Sequence, residues 1–329
     1  MLADSFGRIA TDLRVSVTDK CNLRCTYCMP AEGLDWLPGP VLLTDDELPR
    51  LISVAVRLLG ITQVRFTGGE PLIRRGLPAI IARTAGLEPR PEISLTTNGI
   101  GLALLAAPLA AAGLDRLNVS LDTLSRQTFL TLARRDRLAD VLAGLSAAAD
   151  AGLAPVKVNA VLMRGVNDHE AGALLRFCLD RGYQLRFIEQ MPLDAQHGWR
   201  RTNMVTADEI LARLSGSFSL IPDDPDARGS APAETFLVDG GPGRVGVIGS
   251  VTRPFCGSCD RVRLTADGQV RNCLFATTET DLRALLRAGA TDDQLAAAWR
   301  GAVAVKLPGH GINDPGFLQP ARSMSAIGG

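Results

Sequence analysis

Between Leu13 and about Met191, short runs of β-branched and apolar residues alternate with longer stretches of helical spacing. The runs are Leu13–Val17, Gln63–Thr67, Ile93–Thr97, Arg116–Leu121, Val156–Leu162 and Gln184–Glu189. Helices fit between them: Thr44 and Glu47 have capping-box spacing, and Gly60, Gly86, Gly113, Gly152 and Gly182 stand where helices should stop. Strands that alternate with helices predict a parallel sheet, because each helix carries the chain back to the end where the next strand begins. Six units fall short of the eight of a closed barrel. The expected fold is therefore α/β, an incomplete (β/α)6 partial barrel, with a doubly wound open sheet as the alternative. In either fold, ligands gather at the carboxyl ends of the strands.

Beyond Pro192 the pattern breaks into a short helix near Ala207–Leu214, a loop rich in Asp, Pro and Gly from Pro222 to Pro232, and short strands. This divides the chain into a first domain, 1–199, and a smaller α+β domain, 200–329, expected to cover the mouth of the barrel. Gly240-Gly241-Pro242-Gly243 reads as a hairpin turn, and no internal repeat is visible.

Composition narrows the choices. The chain has 329 residues, 46% of them hydrophobic, and balances 35 basic against 35 acidic residues. With no net charge there is no long-range field to draw in nucleic acid or an anionic membrane, so neither is expected as a partner. Met1–Ala10 lacks the basic start and apolar run of a signal peptide, and the expected compartment is the cytoplasm. The longest uncharged stretch, Ile93–Leu114, is interrupted by Thr96-Thr97-Asn98-Gly99 and Pro108, which suits strand, turn and helix better than a membrane span.

Six of the seven cysteines form two triplets, and Cys178 stands alone among leucines as a packing residue. In a cytoplasmic chain such clustering suggests metal binding rather than disulfides. Cys21, Cys25 and Cys28 have the spacing C-x3-C-x2-C directly after the first strand. That spacing suits three corners of a four-iron, four-sulfur cube better than the paired C-x2-C knuckles of zinc, and leaves the fourth iron open. Cys256, Cys259 and Cys273, as C-x2-C-x13-C, are ambiguous by spacing alone: zinc with a fourth ligand such as His310, or a second cluster.

Arg14, Arg65 and Lys157 lie within strands, where a charge on an inner face is costly unless an opposite charge meets it. Asp12, Glu70 and Glu189 could pair with them inside the scaffold; alternatively, three cations aimed at one mouth suit a ligand with several negative charges. Of the 35 basic residues only Lys20, Lys157 and Lys306 are lysine, so Lys157 stands out as a compact point charge kept against the bias. Arg261 and Arg263, two apart on a strand, share a face. No phosphate-binding G-x4-G-K-S/T loop is present. His169 and His197 read as solvated.

The first triplet, with Tyr27 before its third cysteine and Thr67-Gly68-Gly69-Glu70-Pro71 after the second strand, resembles the radical S-adenosylmethionine (SAM) signature. The resemblance extends along nearly the whole chain to the GTP 3′,8-cyclases of molybdenum-cofactor biosynthesis. It is carried by Phe6-Gly7-Arg8, Leu13–Asp19, Met29-Pro30, Arg65–Leu72, Thr96–Gly99, Asn118–Asp122, Lys157–Asn159 and Phe187–Pro192. In the second half it rests on Phe255–Leu264, Cys273–Phe275 and the terminal Gly328-Gly329.

The resemblance implies two 4Fe-4S clusters, on Cys21, Cys25 and Cys28 and on Cys256, Cys259 and Cys273. The first would split SAM to a 5′-deoxyadenosyl radical, which takes hydrogen from C3′ of GTP. The C3′ radical would then attack C8, giving (8S)-3′,8-cyclo-7,8-dihydroguanosine 5′-triphosphate. The second would hold the purine. The same resemblance assigns SAM to Tyr27, Gly69, Ser120 and Met191, and GTP to Arg14, Arg65, Thr96, Lys157, Arg261 and Arg263. It places Arg261 and Arg263 with Cys21, Cys25 and Cys28 in catalysis, and reads the Gly-Gly end as an arm reaching the site. Flavodoxin or ferredoxin as reductant and cyclic pyranopterin monophosphate synthase as recipient of the product are implied too. The oligomeric state, with a homodimer among the options, stays open. Asp260 stands where asparagine is common in the family, which should alter local hydrogen bonding rather than ligation. The competing readings are a peptide-modifying radical SAM maturase and a zinc-stabilised binding module.

Overall fold

The structure, a computed structural model, describes residues 1–224 and 228–328. A small hairpin, β1 (Leu2–Ala3) and β2 (Ile9–Ala10), opens the chain. The six expected strands follow as β3 (Asp12–Ser16), β4 (Gln63–Thr67), β5 (Glu92–Thr97), β6 (Arg116–Ser120), β7 (Lys157–Val161) and β8 (Gln184–Ile188). They lie parallel and side by side in chain order. Consecutive order makes every crossover turn the same way, and right-handed crossovers then set all the helices on one face, so that the sheet curls. A doubly wound sheet reverses at a switch point, which this order excludes.

The covering helices are α1 (Glu47–Leu59), α2 (Leu77–Ala85), α3 (Leu102–Ala111), α4 (Arg126–Ala133), α5 (Leu138–Asp150) and α6 (Ala171–Asp180). Ahead of α1 the Thr44 and Glu47 side chains each bond the other's backbone N–H, at 3.1 and 2.9 Å. Gly60 ends that helix in the left-handed conformation, φ 82°. Every second strand residue meets the helix layer: Leu13, Val15, Val64, Phe66, Ile93, Leu95, Leu117, Val119, Val158, Ala160, Leu185 and Phe187 are wholly buried. The alternate positions face the interior of the curl, and they are mostly polar.

After α7 (Ala207–Ser215) come β9 (Leu220–Pro222), β10 (Glu234–Val238), β11 (Arg244–Ile248), β12 (Arg261–Leu264), β13 (Gln269–Arg271) and β14 (Thr280–Asp281). The Gly240–Gly243 stretch is the β10–β11 hairpin turn, as expected. Part of the predicted 222–232 loop, residues 225–227, lies outside the described residues. These strands build no sheet of their own. β12 pairs parallel with β3 and β11 pairs parallel with β8, so among the described residues eight parallel strands adjoin where the sequence predicted six. Antiparallel β13 and β14 extend one edge, and β10 and β9 the other, of a single twelve-stranded sheet. The segments on either side of residue 199 thus share one curved sheet. Three helices that the periodicity did not reveal follow: α8 (Leu282–Arg287), α9 (Asp292–Ala304) and α10 (Met324–Ile327). Among the described residues no helix is long and apolar enough to cross a membrane.

Candidate active site

Strand register sets cations beside one another. Arg263 lies opposite Arg14, and Arg14 opposite Arg65, on the adjacent strands β12, β3 and β4. Like charges directly opposite are destabilising, more so when buried. Only Asp12 of the three carboxylates considered from sequence meets this row, 3.6 Å from Arg14. Glu70 is instead buried among donors, the Leu72 N–H (2.9 Å), the Thr97 hydroxyl (2.6 Å) and the Asn98 N–H (2.7 Å). Glu189 accepts from the N–H groups of Ala207, Val251 and Thr252. Further round the interior stand Arg116, paired with Glu92, then Lys157 and Arg186. Among the described residues Arg65, Lys157 and Arg186 have no carboxylate partner, and the buried Nε atoms of Arg14 and Arg65 bond nothing.

Burial, with repulsion from neighbouring arginines, lowers the proton affinity of this array. Lys157 falls to about 7, Arg186 to about 10 and Arg263 to about 9; Arg14 and Arg65 fall too. Such a row is unfavourable until anionic oxygens arrive. The orphaned guanidinium nitrogens therefore fit a polyanion such as a triphosphate.

The loop after β3 carries the first triplet. Gly68 and Gly69, at the end of β4, lie against it: a Cβ on Gly69 would sit 2.2 Å from the Lys20 carbonyl and one on Gly68 2.5 Å from that of Thr18. The close approach these glycines serve in the structure is to the cysteine loop itself, with the Gly69 N–H donating to Thr18 O at 2.7 Å. Tyr27 donates its hydroxyl to Asp122 at 2.6 Å, and Asn98 reaches Asn22 at 2.7 Å and the Cys21 sulfur at 3.8 Å. Burial raises all three thiols, helped by Glu70 at Cys21 and by neighbouring thiols at Cys25 and Cys28, Cys28 reaching about 12, so thiolates here call for the charge of bound metal.

The second triplet approaches the same cavity from the sheet edge. Cys256 and Cys259 flank the turn before β12, and Cys273 follows β13. Burial raises Cys256, but at Cys259 the opposing pull of Arg261 and Lys306 outweighs burial and lowers the thiol. His310, the candidate fourth zinc ligand, is already occupied: Nε2 meets the Ser250 carbonyl at 3.0 Å and Nδ1 accepts from the Ile312 N–H at 3.1 Å. All seven cysteines are free. Among the described residues no three His, Cys, Asp or Glu side chains are gathered to hold a single ion. A four-iron cube spreads its ligands farther apart than one ion does.

One cavity of ≈ 360 Å³ is lined by all six clustered cysteines, by Tyr27, Gly69, Ser120 and Met191, and by Arg14, Arg65, Thr96, Arg261 and Arg263. Lys157 is not among its lining residues, although it pairs in register with Asn118 one strand from Thr96. Sequence reasoning missed Asp122, Asn159, Arg186 and Ser325, which also line it. For Arg186 and Asn159 the signal was present, a polar residue between two buried apolar ones on a strand; for Ser325 there was none. The tail enters the site: α10 brings Met324 and Ser325 to the cavity, and Arg263 bonds the Gly328 carbonyl. Gly329 lies outside the described residues. Asp260 accepts from Thr11 (3.0 Å) and Ser230 (2.8 Å), a local hydrogen-bonding role. Cys178 is fully buried in the core and His169 is exposed, as expected.

This sheet with cysteines at a strand's carboxyl end defines the class. The radical SAM superfamily profile matches residues 15–178, and the Molybdenum Cofactor Synthesis C profile matches 183–312. The fold is shared with Streptococcus suis SuiB bound to S-adenosylmethionine, at TM-score 0.60 and 13% identity over 88% of this chain and 68% of that one. A likeness at that identity concerns the fold alone. The particular family follows from closer relatives. GTP 3′,8-cyclase of Streptomyces coelicolor is 66% identical over 100% of this chain and 96% of its own length. GTP 3′,8-cyclase 2 of Mycobacterium tuberculosis is 64% identical over 100% of this chain and 92% of its own. The chain belongs to the GTP 3′,8-cyclase family of radical SAM enzymes.

Proposed function

We propose that this chain converts GTP to (8S)-3′,8-cyclo-7,8-dihydroguanosine 5′-triphosphate, the first step of molybdenum-cofactor biosynthesis. The observation that carries this reading is the meeting, in one cavity, of two cysteine triplets and a row of cations short of anions. Cys21, Cys25 and Cys28 would hold one 4Fe-4S cluster, and Cys256, Cys259 and Cys273 a second. When bound, the first cluster and SAM supply a 5′-deoxyadenosyl radical, the agent that removes the C3′ hydrogen.

The chain's own residues do the rest. Arg14, Arg65, Lys157, Arg261 and Arg263 bind and orient the triphosphate, exchanging mutual repulsion for charge-assisted hydrogen bonds. Thr96, inward on β5, adds a neutral hydroxyl beside them. Tyr27, Gly69, Ser120 and Met191 form the SAM wall, Tyr27 held by Asp122. Arg261 and Arg263 also line the cavity that both cysteine sets line, and so act on substrate in the reaction itself. The strand interior and the α10 tail exclude water. We assign residues 1–199 to SAM binding and initiation, and 200–329 to the second cluster and closure of the mouth. The cytoplasm, a flavodoxin or ferredoxin as reductant, and delivery of product to cyclic pyranopterin monophosphate synthase belong to the same proposal.

Anaerobic incubation with GTP, SAM and a strong reductant tests it. Cyclised nucleotide and 5′-deoxyadenosine are the expected products. A colourless zinc protein that leaves GTP intact would overturn it.

A further inference from the structure

Lys306 sits just past α9 in an inverted environment. Its neighbours Val305 and Leu307 are 66% and 70% exposed, whereas Lys306 is 4% exposed. Hydrophobic burial alone would turn this tripeptide the other way. The three ammonium protons are spent on three acceptors: the Arg261 carbonyl at 2.9 Å, the Cys259 carbonyl at 3.3 Å and the Cys259 sulfur at 3.5 Å. Among the described residues it has no carboxylate partner. A buried ammonium needs a negative partner, and among its three acceptors the Cys259 sulfur is the one that would carry negative charge when it ligates metal.

The segment carrying Lys306 is fixed against the cysteines. Arg8 donates to the carbonyls of Cys256 (2.8 Å), Leu307 (2.6 Å) and Pro308 (2.9 Å), tying the loop to the first cysteine of the set. Asn272, beside Cys273, donates to the Ala302 carbonyl at 2.8 Å. The end of α9 and its following loop are thus anchored near all three cysteines, and Lys306 is held where it cannot swing away.

We propose that Lys306 is a positioning residue that sets the reduction potential of the second cluster, through a fixed positive charge hydrogen-bonded to the Cys259 sulfur. The proposal rests on the reading that the second triplet holds a cluster. A cation bonded to a ligand sulfur favours the form carrying one more electron, and so raises the potential. No other lysine of the chain is hydrogen-bonded to a cysteine sulfur among the described residues.

The test uses the full chain, reconstituted anaerobically, with each cluster followed by electron paramagnetic resonance during a redox titration. Lys306→Met keeps the length and apolar stem and removes the charge; Lys306→Arg keeps the charge. In Lys306→Met the midpoint of the second cluster should fall by at least about tenfold in the reduction equilibrium, about 59 mV for one electron. The first cluster should hold its midpoint, and Lys306→Arg should recover most of the shift. If Lys306→Met does not retain iron, Lys306→Gln takes its place with the same expected direction. A wild-type midpoint in an iron-replete neutral variant overturns the proposal, as does an equal fall in Lys306→Arg. Wild-type enzyme holding about four irons per chain rather than about eight would instead sink the two-cluster reading beneath it.

Discussion

The two cysteine sets share a cavity but not an electrostatic setting. Around Cys21, Cys25 and Cys28, burial acts with Glu70, Asp122 and the neighbouring thiols to raise the sulfurs. Arg24, which pulls the Cys21 thiol down only weakly against burial, turns its guanidinium to the carbonyls of Cys21 (2.7 Å) and Leu23 (2.8 Å). Around Cys259, Arg261 and Lys306 reverse the effect of burial. A surrounding poor in cations disfavours added electrons and makes a strong reductant, which cleavage of a sulfonium requires. One rich in cations favours anionic ligands and the reduced state. The difference teaches that two three-cysteine sets lining one cavity can be tuned in opposite directions by the charges packed around them.

The sharpest way to break this division is to remove one set at a time. Cys25→Ala should abolish 5′-deoxyadenosine formation. Cys259→Ala should leave slow SAM cleavage and lose cyclised product, both read by chromatography of quenched reactions. Full cyclisation by Cys259→Ala would show that the two sets are not specialised.

Next in size is the tail, which belongs to the second half of the chain yet ends against the first. A Cβ on Gly328 would lie 2.9 Å from Thr67 Cγ2 and 3.0 Å from Ser16 Cβ, at φ +87°. Deleting Gly328 and Gly329 should cut cyclised product more than about tenfold, while SAM binding, iron content and thermal stability stay near wild type, because chain ends contribute little to the core. Wild-type yield from the truncated chain would make the tail an ordinary loose end.

The cation row should matter for triphosphate and not for the nucleoside. Arg65→Gln or Lys157→Met should weaken GTP binding by about 2 to 4 kcal/mol and guanosine binding far less, measured by calorimetry. Equal losses would return these residues to the scaffold.

The smallest expected effect is in protons. Burial and then Arg186, Arg116 and Arg65 hold Lys157 down to about 7, below its usual value, with Glu92 opposing. Arriving phosphate favours the charged amine and raises it again. Below about pH 7 the amine is protonated with or without ligand, and affinity is undiminished. Above it, binding must take up a proton, so affinity falls as pH rises and calorimetric heats depend on the buffer. Lys157→Met should lose that proton uptake.

Much of this was legible along the chain. Six strands fell within a residue or two of their predicted ends, because alternating burial against a helix layer leaves a periodic trace. Both triplets and most lining residues could be named from local spacing and family likeness. Arg186 left its trace in the alternation of β8 and was passed over, although it stands in phase with Gln184 and Ile188. Lys306 left none, since a charge between two apolar residues in an aperiodic loop reads as surface.

What the sequence determined by itself was whatever depends on neighbours in the chain: strand parity, helix stops, cysteine spacing and the kinds of ligand they suit. Only the tertiary structure decided which distant segments meet. β11 and β12 close in on the edges of a sheet begun more than a hundred residues earlier, and Arg14, Arg65 and Arg263 become neighbours through register alone. Strand pairing is a long-range choice made by backbone hydrogen bonds and packing, which local composition does not encode, and that choice turns scattered cations and two cysteine loops into one site.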